Sequence, residues 1–367
     1  MSGLYIHIPF CLSKCAYCGF YSVPSVKNKG AFREALCNEI VARKDYLHGE
    51  KVETVYFGGG TPSILSIDEL KSIMALLHDV YEIDPQAEVT LEANPDTLSP
   101  EYLKGLGSIG VNRLSIGIQS FFDDDLKYLS RRHDAVHARQ CVQLAKDAGF
   151  DNISIDLIYG LPTSNAEQWH RNLDLFFELE IPHLSAYALT LEPNSILTKQ
   201  IEMGKAFPVN EEDAVRDYDI LCRRAAENGY LHYEISNFCK PGKHSRHNSS
   251  YWFGIPYAGF GPSAHSFDGA SRQWNVASLE RYGESEKEEL SPEQIYDEYV
   301  MLRLRTMWGI DLKYMKREMG ERFSSYCERQ AEPLVAQGRL SQIREFLYLN
   351  DSQMLFADGV AEALFWA

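Results

Sequence analysis

Tyr5-Ile6-His7-Ile8-Pro9-Phe10-Cys11-Leu12-Ser13-Lys14-Cys15-Ala16-Tyr17-Cys18 is the stretch from which both fold and chemistry are read. Its first part, Tyr5-Ile6-His7-Ile8, is a short β-rich run. Its second part brings three cysteines onto one loop, separated by three residues and then by two. Thiolates so placed suit three irons of a cubane iron–sulfur cluster. Such a cluster ordinarily takes four cysteines, so three leave one iron open to a small-molecule ligand. Tyr17, just before the last cysteine, is placed to screen a cluster from water. A structural zinc site is the competing reading. Zinc usually joins one Cys-x-x-Cys to a distant second pair, and the chain has no such pair.

On either side of this loop the chain alternates β-rich and helical runs. Residues 54–57, 89–92, 113–117, 153–158 and 183–189 are further apolar strand segments. Between them Phe32, Leu36 and Ile40 recur at helical spacing, residues 70–77 and 136–148 continue the pattern, and Ser99-Pro100-Glu101 is a helix N-cap signature. Six β-then-α units with apolar strands predict the α/β class, with a parallel sheet and helices outside. They are fewer than a closed barrel needs, so the expected architecture is a partial (β/α)6 barrel.

Barrels of this kind keep their chemistry at the carboxyl ends of the strands. The unusual residues fall there: Gly58-Gly59-Gly60-Thr61-Pro62 after the second strand, Glu92-Ala93-Asn94-Pro95 at the end of the third, Gln119 after the fourth and Asp156 in the fifth. The glycines read either as a tight turn or as backbone amides that approach a polar ligand closely. They lack the lysine of a phosphate-binding loop. Glu92 and Asp156 read either as ligand contacts or as caps and ion-pair partners.

Composition sets the outer limits. Lys and Arg total 36 against 52 Asp and Glu, a net charge of −16, with 45% hydrophobic and 24% charged residues. These are globular proportions and exclude a disordered chain. The acidic balance argues against nucleic-acid binding and against anionic membranes. No apolar run is long enough to cross a bilayer, and Met1 to His7 carry no basic segment or long apolar core, so a cytoplasmic location is expected. Cys37, Cys141, Cys222 and Cys327 are scattered singly and read as small hydrophobes, whereas Cys239 lies beside other suggestive residues.

After Pro193 the pattern turns irregular and aromatic-rich, with helical periodicity near 213–228. The run Glu284-Ser285-Glu286-Lys287-Glu288-Glu289 reads as a solvated linker. From Pro292 onward, three short helical patterns and a hairpin around Asn350-Asp351 predict a winged-helix-like α+β accessory domain. The expected division is 1–280 for the barrel with its extension and 290–367 for the accessory domain.

With these motifs the chain resembles radical S-adenosylmethionine proteins, whose signature is this cysteine spacing. It resembles more closely the group around oxygen-independent coproporphyrinogen III oxidase. The likeness runs through Tyr5 to Cys11, Gly58 to Pro62, Ser115-Ile116-Gly117-Ile118-Gln119-Ser120-Phe121 and Ile155-Asp156-Leu157-Ile158-Tyr159-Gly160-Leu161-Pro162, over essentially the whole chain. The resemblance implies that Cys11, Cys15 and Cys18 bind a [4Fe-4S] cluster. It further implies that S-adenosylmethionine chelates the fourth iron through its amino and carboxylate groups, and that Tyr5, Gly59, Gly60, Thr61, Glu92, Gln119, Arg131, Asp156 and Ala188 hold the rest of that cofactor. As bare sequence, Ser130-Arg131-Arg132-His133 is a surface basic cluster. Only the family pattern, twelve residues after Gln119, singles out Arg131.

Two branches of the group differ at particular residues. The true oxidases decarboxylate two propionates of coproporphyrinogen III, carry a longer N-terminal extension and have a further cysteine two residues after the third. Here Tyr5 lies near the start, and Phe20 stands where that cysteine would be. The heme-chaperone branch carries a His-Asn-x-x-Tyr-Trp motif, present as His247-Asn248-Ser249-Ser250-Tyr251-Trp252. The resemblance thus implies heme binding and delivery to an acceptor protein, with an electron donor such as flavodoxin or ferredoxin. Porphyrinogen decarboxylation is the alternative, and a nucleic-acid role for the tail is the weakest. His247 is the candidate heme ligand, because imidazole is a common axial ligand and Tyr251 and Trp252 offer faces for a macrocycle. His244, His265 and Cys239 share the region. For His247 a loop-capping role through hydrogen bonds is the competing reading.

Overall fold

Strands β1 (Ser2–Ile8), β2 (Val52–Gly59), β3 (Ile83–Ala93), β4 (Arg113–Gln119), β5 (Ile153–Tyr159) and β6 (His183–Ala188) run parallel, side by side, in a computed structural model that describes residues 1–367. Successive side chains on a strand point to opposite faces, and here the two faces differ in chemistry. Leu4, Ile6 and Ile8 of β1, Leu114, Ile116 and Ile118 of β4, and Ile153, Ile155 and Leu157 of β5 join one large apolar core beneath the helices. The alternate positions, among them Tyr5, His7, Glu92, Arg113, Ser115 and Asp156, belong to the opposite, inner face. The sequence pattern of the strands therefore encodes a barrel with an apolar outside layer and a polar lumen.

Helices α1 (Lys29–Ala42), α2 (Ile67–Val80), α3 (Pro100–Ser108), α4 (Asp123–Tyr128), α5 (Ala135–Asp147) and α6 (Ala166–Glu178) connect these strands. Their starts are set by short polar side chains. Ser66 and Glu69 form a reciprocal capping box on α2, Ser99 caps α3 just ahead of Pro100, and Asp134 caps α5. Helices α7 (Ile196–Glu202), α8 (Glu211–Glu227) and α9 (Arg246–Trp252) follow the sixth strand. The partial barrel expected from six β/α units is what the chain forms.

The aromatic-rich segment is more ordered than its composition predicts. It supplies β7 (Leu231–Glu234), β8 (Asn237–Cys239), β9 (Tyr257–Phe260), β10 (His265–Phe267), β11 (Ser271–Asn275) and β12 (Ser285–Glu289). β8 and β7 extend the sheet beyond β6, while β9 pairs parallel to β1 and β10 to β12 continue outward on that side. The expected linker at 284–289 is corrected: Ser285–Glu289 is an edge strand, antiparallel to β11, and carries the large sheet past residue 280. Its five side chains are all exposed, and charges on an edge discourage further pairing.

A second core gathers around Tyr296, Phe323, Leu347 and Leu364. It is built by α10 (Pro292–Leu304), β13 (Ile310–Asp311), α11 (Leu312–Glu318), α12 (Glu321–Ala336), β14 (Ser341–Ile343), β15 (Phe346–Tyr348) and α13 (Ala357–Glu362), with the small sheet ordered β13-β15-β14. This is the winged-helix order of elements. The hairpin, however, turns at Arg344-Glu345 and not at Asn350-Asp351. Asn350 instead opens a 3-10 helix, forming a capping box with Gln353. No helix is long and apolar enough to cross a membrane.

Glu39 of α1 ties the added strands to the barrel. Its carboxylate accepts hydrogen bonds from Gly261 N (2.9 Å), Asn275 Nδ2 (2.7 Å) and the Tyr282 hydroxyl (2.7 Å), and it pairs with Arg43 at 3.2 Å. Removing one member of such a half-buried network strands the others. Glu39→Ala is expected to destabilise the protein by roughly 3 kcal/mol, and Glu39→Gln by less, in equilibrium denaturation.

Candidate functional site

The cysteine loop leaves the carboxyl end of β1 and is closed at its base, where Val23 N donates to Pro9 O (2.7 Å) and Cys11 N to Val23 O (3.1 Å). It is pinned outside the barrel as well. Ala16 N donates to Leu129 O (3.2 Å), and Leu197 N donates to Ala16 O (2.8 Å). Cys11, Cys15 and Cys18 are free and half-buried. Burial, and then the neighbouring Cys15 and Cys11, push the Cys18 thiol up.

Two of the thiols are already engaged by donors from other loops of the rim. Arg131 donates from one terminal nitrogen to Cys15 Sγ (3.2 Å), and from the other to Asn94 Oδ1 (2.6 Å) and Gly117 O (2.5 Å). Asn94 Nδ2 donates to Thr61 Oγ1 (3.1 Å), whose hydroxyl donates to Cys11 Sγ (3.5 Å). The chain Cys11–Thr61–Asn94–Arg131–Cys15 thus closes a ring across the ends of β1 to β4. Arg131 is a half-buried part of this ring and not a surface cation; it lies in the loop after α4. The sequence reading placed Asn94 at the rim without a partner, and it missed the lumen residue Arg113 as a functional group. The only sign of Arg113 was a charge opening an otherwise apolar strand.

The glycines beneath the loop answer to crowding. Gly59 has φ +107°, and a Cβ there would lie 2.6 Å from the His7 ring; a Cβ on Gly60 would lie 2.7 Å from Phe10 O. Only glycine lets β2 pass this close to the exit of β1. Gly59 N donates to Glu92 Oε2 (3.1 Å), and the Tyr56 hydroxyl donates to Glu92 Oε1 (2.8 Å). Gln119 ends β4 in the left-handed region at φ +72°, uncommon for a residue with a side chain. Ala188 closes β6 opposite Tyr159.

Glu92 and Asp156 face the lumen, where both are half-buried. Burial raises Glu92 to about 7, against the pull of its hydrogen bond from Tyr56, and raises Asp156 to about 6. The Arg113 charge works in the opposite direction on both. These carboxylates are therefore poised near neutrality.

The structure places His247, the expected heme ligand, away from solvent with both ring nitrogens engaged inside the protein. It lies on α9, a helix and not a loop, and is 1% exposed. Its Nδ1 shares a hydrogen bond with Thr54 Oγ1 (2.8 Å), and its Nε2 shares one with the Tyr251 hydroxyl (2.8 Å). Its ring stacks on Tyr56 with centroids 4.9 Å apart. Both nitrogens are in use, so the ring works as a packing and hydrogen-bonding element of the barrel floor.

A cavity of about 590 Å³ opens beside the barrel. Tyr5 and His7 reach it from β1, Phe20 and Tyr21 from the cysteine loop, and Tyr257 and Phe267 from the added strands. Ile295, Glu298, Tyr299, Leu302, Tyr314 and Met319 close it from the C-terminal unit. The volume falls in the range of about 300–1,000 Å³ usual for pockets that take a small organic ligand, and most of the lining is hydrophobic or aromatic.

The thiol loop and lumen lie within residues 5–176, which match the Radical SAM superfamily, and residues 290–356 match the HemN C-terminal domain. The fold and rim are thus those of a radical SAM protein. The chain is 32% identical to heme chaperone HemW of Mycobacterium tuberculosis H37Rv, over 99% of this chain and 94% of that protein. It is 32% identical to HemW of Bacillus subtilis (98% and 98%) and 31% identical to HemW of Escherichia coli K12 (98% and 97%). The solved structure of coproporphyrinogen III oxidase (HemN) from Escherichia coli shares the fold, with a TM-score of 0.83 at 23% identity over 99% of this chain and 90% of that one. The chain belongs to the HemW family.

The raised carboxylates make a stability prediction. Glu92 ordinarily titrates at 4.5 and is raised to about 7 in the fold. Between those values the native state holds a proton that the unfolded chain releases, so stability falls as pH rises through this window. Glu92→Gln removes the buried charge. Thermal melts are expected to show it stabilised at about pH 8 by on the order of 2–3 kcal/mol, and close to neutral in effect at about pH 4.5. An equal effect at both pH values would count against a strained lumen carboxylate.

Proposed function

We propose that this protein is a heme chaperone that holds heme beside the barrel and passes it to an acceptor protein, with a [4Fe-4S] cluster and S-adenosylmethionine bound at the adjacent rim. The observation that carries this reading is the junction of the aromatic cavity with the rim: Tyr5 and His7 line the cavity while standing on the strand that leads into the cysteine loop. The flat rings of its wall suit a macrocycle.

Cys11, Cys15 and Cys18 would hold the cluster, with Cys11 and Cys15 fixed in place by hydrogen bonds from Thr61 and Arg131. Tyr5, Gly59, Gly60, Thr61, Glu92, Gln119, Arg131, Asp156 and Ala188 would hold S-adenosylmethionine. Arg131 Nε and Arg113 Nε are buried without a hydrogen-bond partner, donors that suit an anionic group such as the methionine carboxylate. When bound, the cluster and S-adenosylmethionine supply one-electron chemistry, with flavodoxin or ferredoxin as the electron source. The protein's own part is to shield the cluster with Tyr17, to fix Cys15 through Arg131 and to present the two lumen carboxylates near their titration points. In this reading the accessory domain is 290–367 and serves to close the cavity. The free cysteines accord with a reducing cytoplasm.

Anaerobic reconstitution followed by heme titration tests the reading. The parent protein is expected to take up about four irons per chain, and Cys15→Ala to retain no stable cluster. Asp156→Ala is expected to keep its iron while losing affinity for S-adenosylmethionine in calorimetry. Heme should bind with or without the cluster, and coproporphyrinogen III should not be converted under anaerobic reducing conditions. Decarboxylation without measurable heme affinity would transfer the assignment to the oxidase reaction.

A further inference from the structure

We propose that His265 is the axial ligand to heme iron in this cavity, a role that rests on the heme-chaperone reading. Two histidines line the cavity, His7 and His265. His7 is spoken for: its Nδ1 shares a hydrogen bond with the Tyr5 hydroxyl (3.1 Å), and its Nε2 takes one to Tyr21 O (3.0 Å). His247 is engaged at both nitrogens and is not part of the lining. His265 is exposed, and its ring nitrogens make no hydrogen bond within the protein.

The strand that carries His265 is built to hold it still. Along β10, His265 and Phe267 turn toward the cavity, while Ser266 between them is buried. The Ser266 hydroxyl accepts from Gly259 N (2.9 Å) and from Arg43 (2.8 Å). A Cβ on Gly259 would lie 2.0 Å from His265 O, so glycine is what allows β9 to approach this point. His265 pairs with Trp274 across β10 and β11, and the two rings stack with centroids 6.2 Å apart at 23°. A ligand imidazole held in one orientation by an aromatic neighbour loses little freedom when it binds.

Arg272 also lines the cavity on the neighbouring strand β11. Arg272 itself is held by Glu298 through two hydrogen bonds of 2.6 and 2.7 Å, so it does not compete for the ring. Met319, Tyr314 and Tyr299 belong to the part of the lining supplied by the C-terminal unit. The cavity in which His265 stands is therefore walled by the barrel side and by the C-terminal unit.

The test uses the full-length protein titrated with ferric heme, read by absorption and electron paramagnetic resonance. His265→Ala is expected to shift the Soret band and to weaken heme binding at least tenfold, with added imidazole restoring the parent spectrum. His265→Tyr, which keeps an aromatic ring on the strand, is expected to give a high-spin spectrum of the tyrosinate type. His247→Ala is expected to leave the Soret position where it is. If the parent protein takes up no heme, the chaperone reading fails and this proposal with it. If the parent binds heme and His265→Ala binds it with the same spectrum and affinity, the ligand assignment alone is overturned.

Discussion

The rim depends on one guanidinium. Arg131 reaches from the loop after α4 to Cys15, to the side chain of Asn94 and to the carbonyl of Gly117, and through Asn94 and Thr61 it is linked to Cys11. Backbone hydrogen bonds at Pro9, Val23 and Ala16 fix the base and flank of the cysteine loop, and side chains supply the remaining ties between the strand ends. Here one fixed cation with a planar set of donors supplies contacts to three structural elements at once. Gly117 is part of the same constraint, because a Cβ there would meet Arg131 at 3.4 Å and Gln119 at 3.0 Å.

Beneath that rim the lumen is an electrostatic compromise. Burial raises both carboxylates, and Asp156 adds to the upward shift of Glu92. Arg113 partly offsets this from the start of β4. A fold selected for stability alone would fill such a space with apolar side chains. The charged and hydroxyl groups at Tyr5, Glu92, Arg113, Ser115 and Asp156 suit a space that takes a polar ligand.

The cavity has a different origin. Its walls come from β1, from the cysteine loop, from β9 to β11 and from the C-terminal unit, segments separated by more than 250 residues (Tyr5 to Met319). None of them encloses anything alone. The parallel pairing of β9 with β1 brings the aromatic segment against the rim, and Glu39 locks that arrangement through Gly261, Asn275 and Tyr282.

Local physics made much of this legible in the chain. Strand and helix periodicity, the cap at Ser99, and three cysteines within eight residues depend on near neighbours, so the six β/α units and the cysteine loop could be read directly. What could not be read depended on contacts between distant segments. Glu286 to Glu289 look like a linker until β11 is beside them. Ser130-Arg131-Arg132 looks like a surface patch until Asn94 and Cys15 are brought to it. The histidines show the limit most clearly. Motif and chemistry drew attention to His247, but whether an imidazole can bind a metal depends on what already occupies its nitrogens and which space it faces. Only the packed fold decides that, and it buries His247 between Thr54 and Tyr251 while leaving His265 open to the cavity.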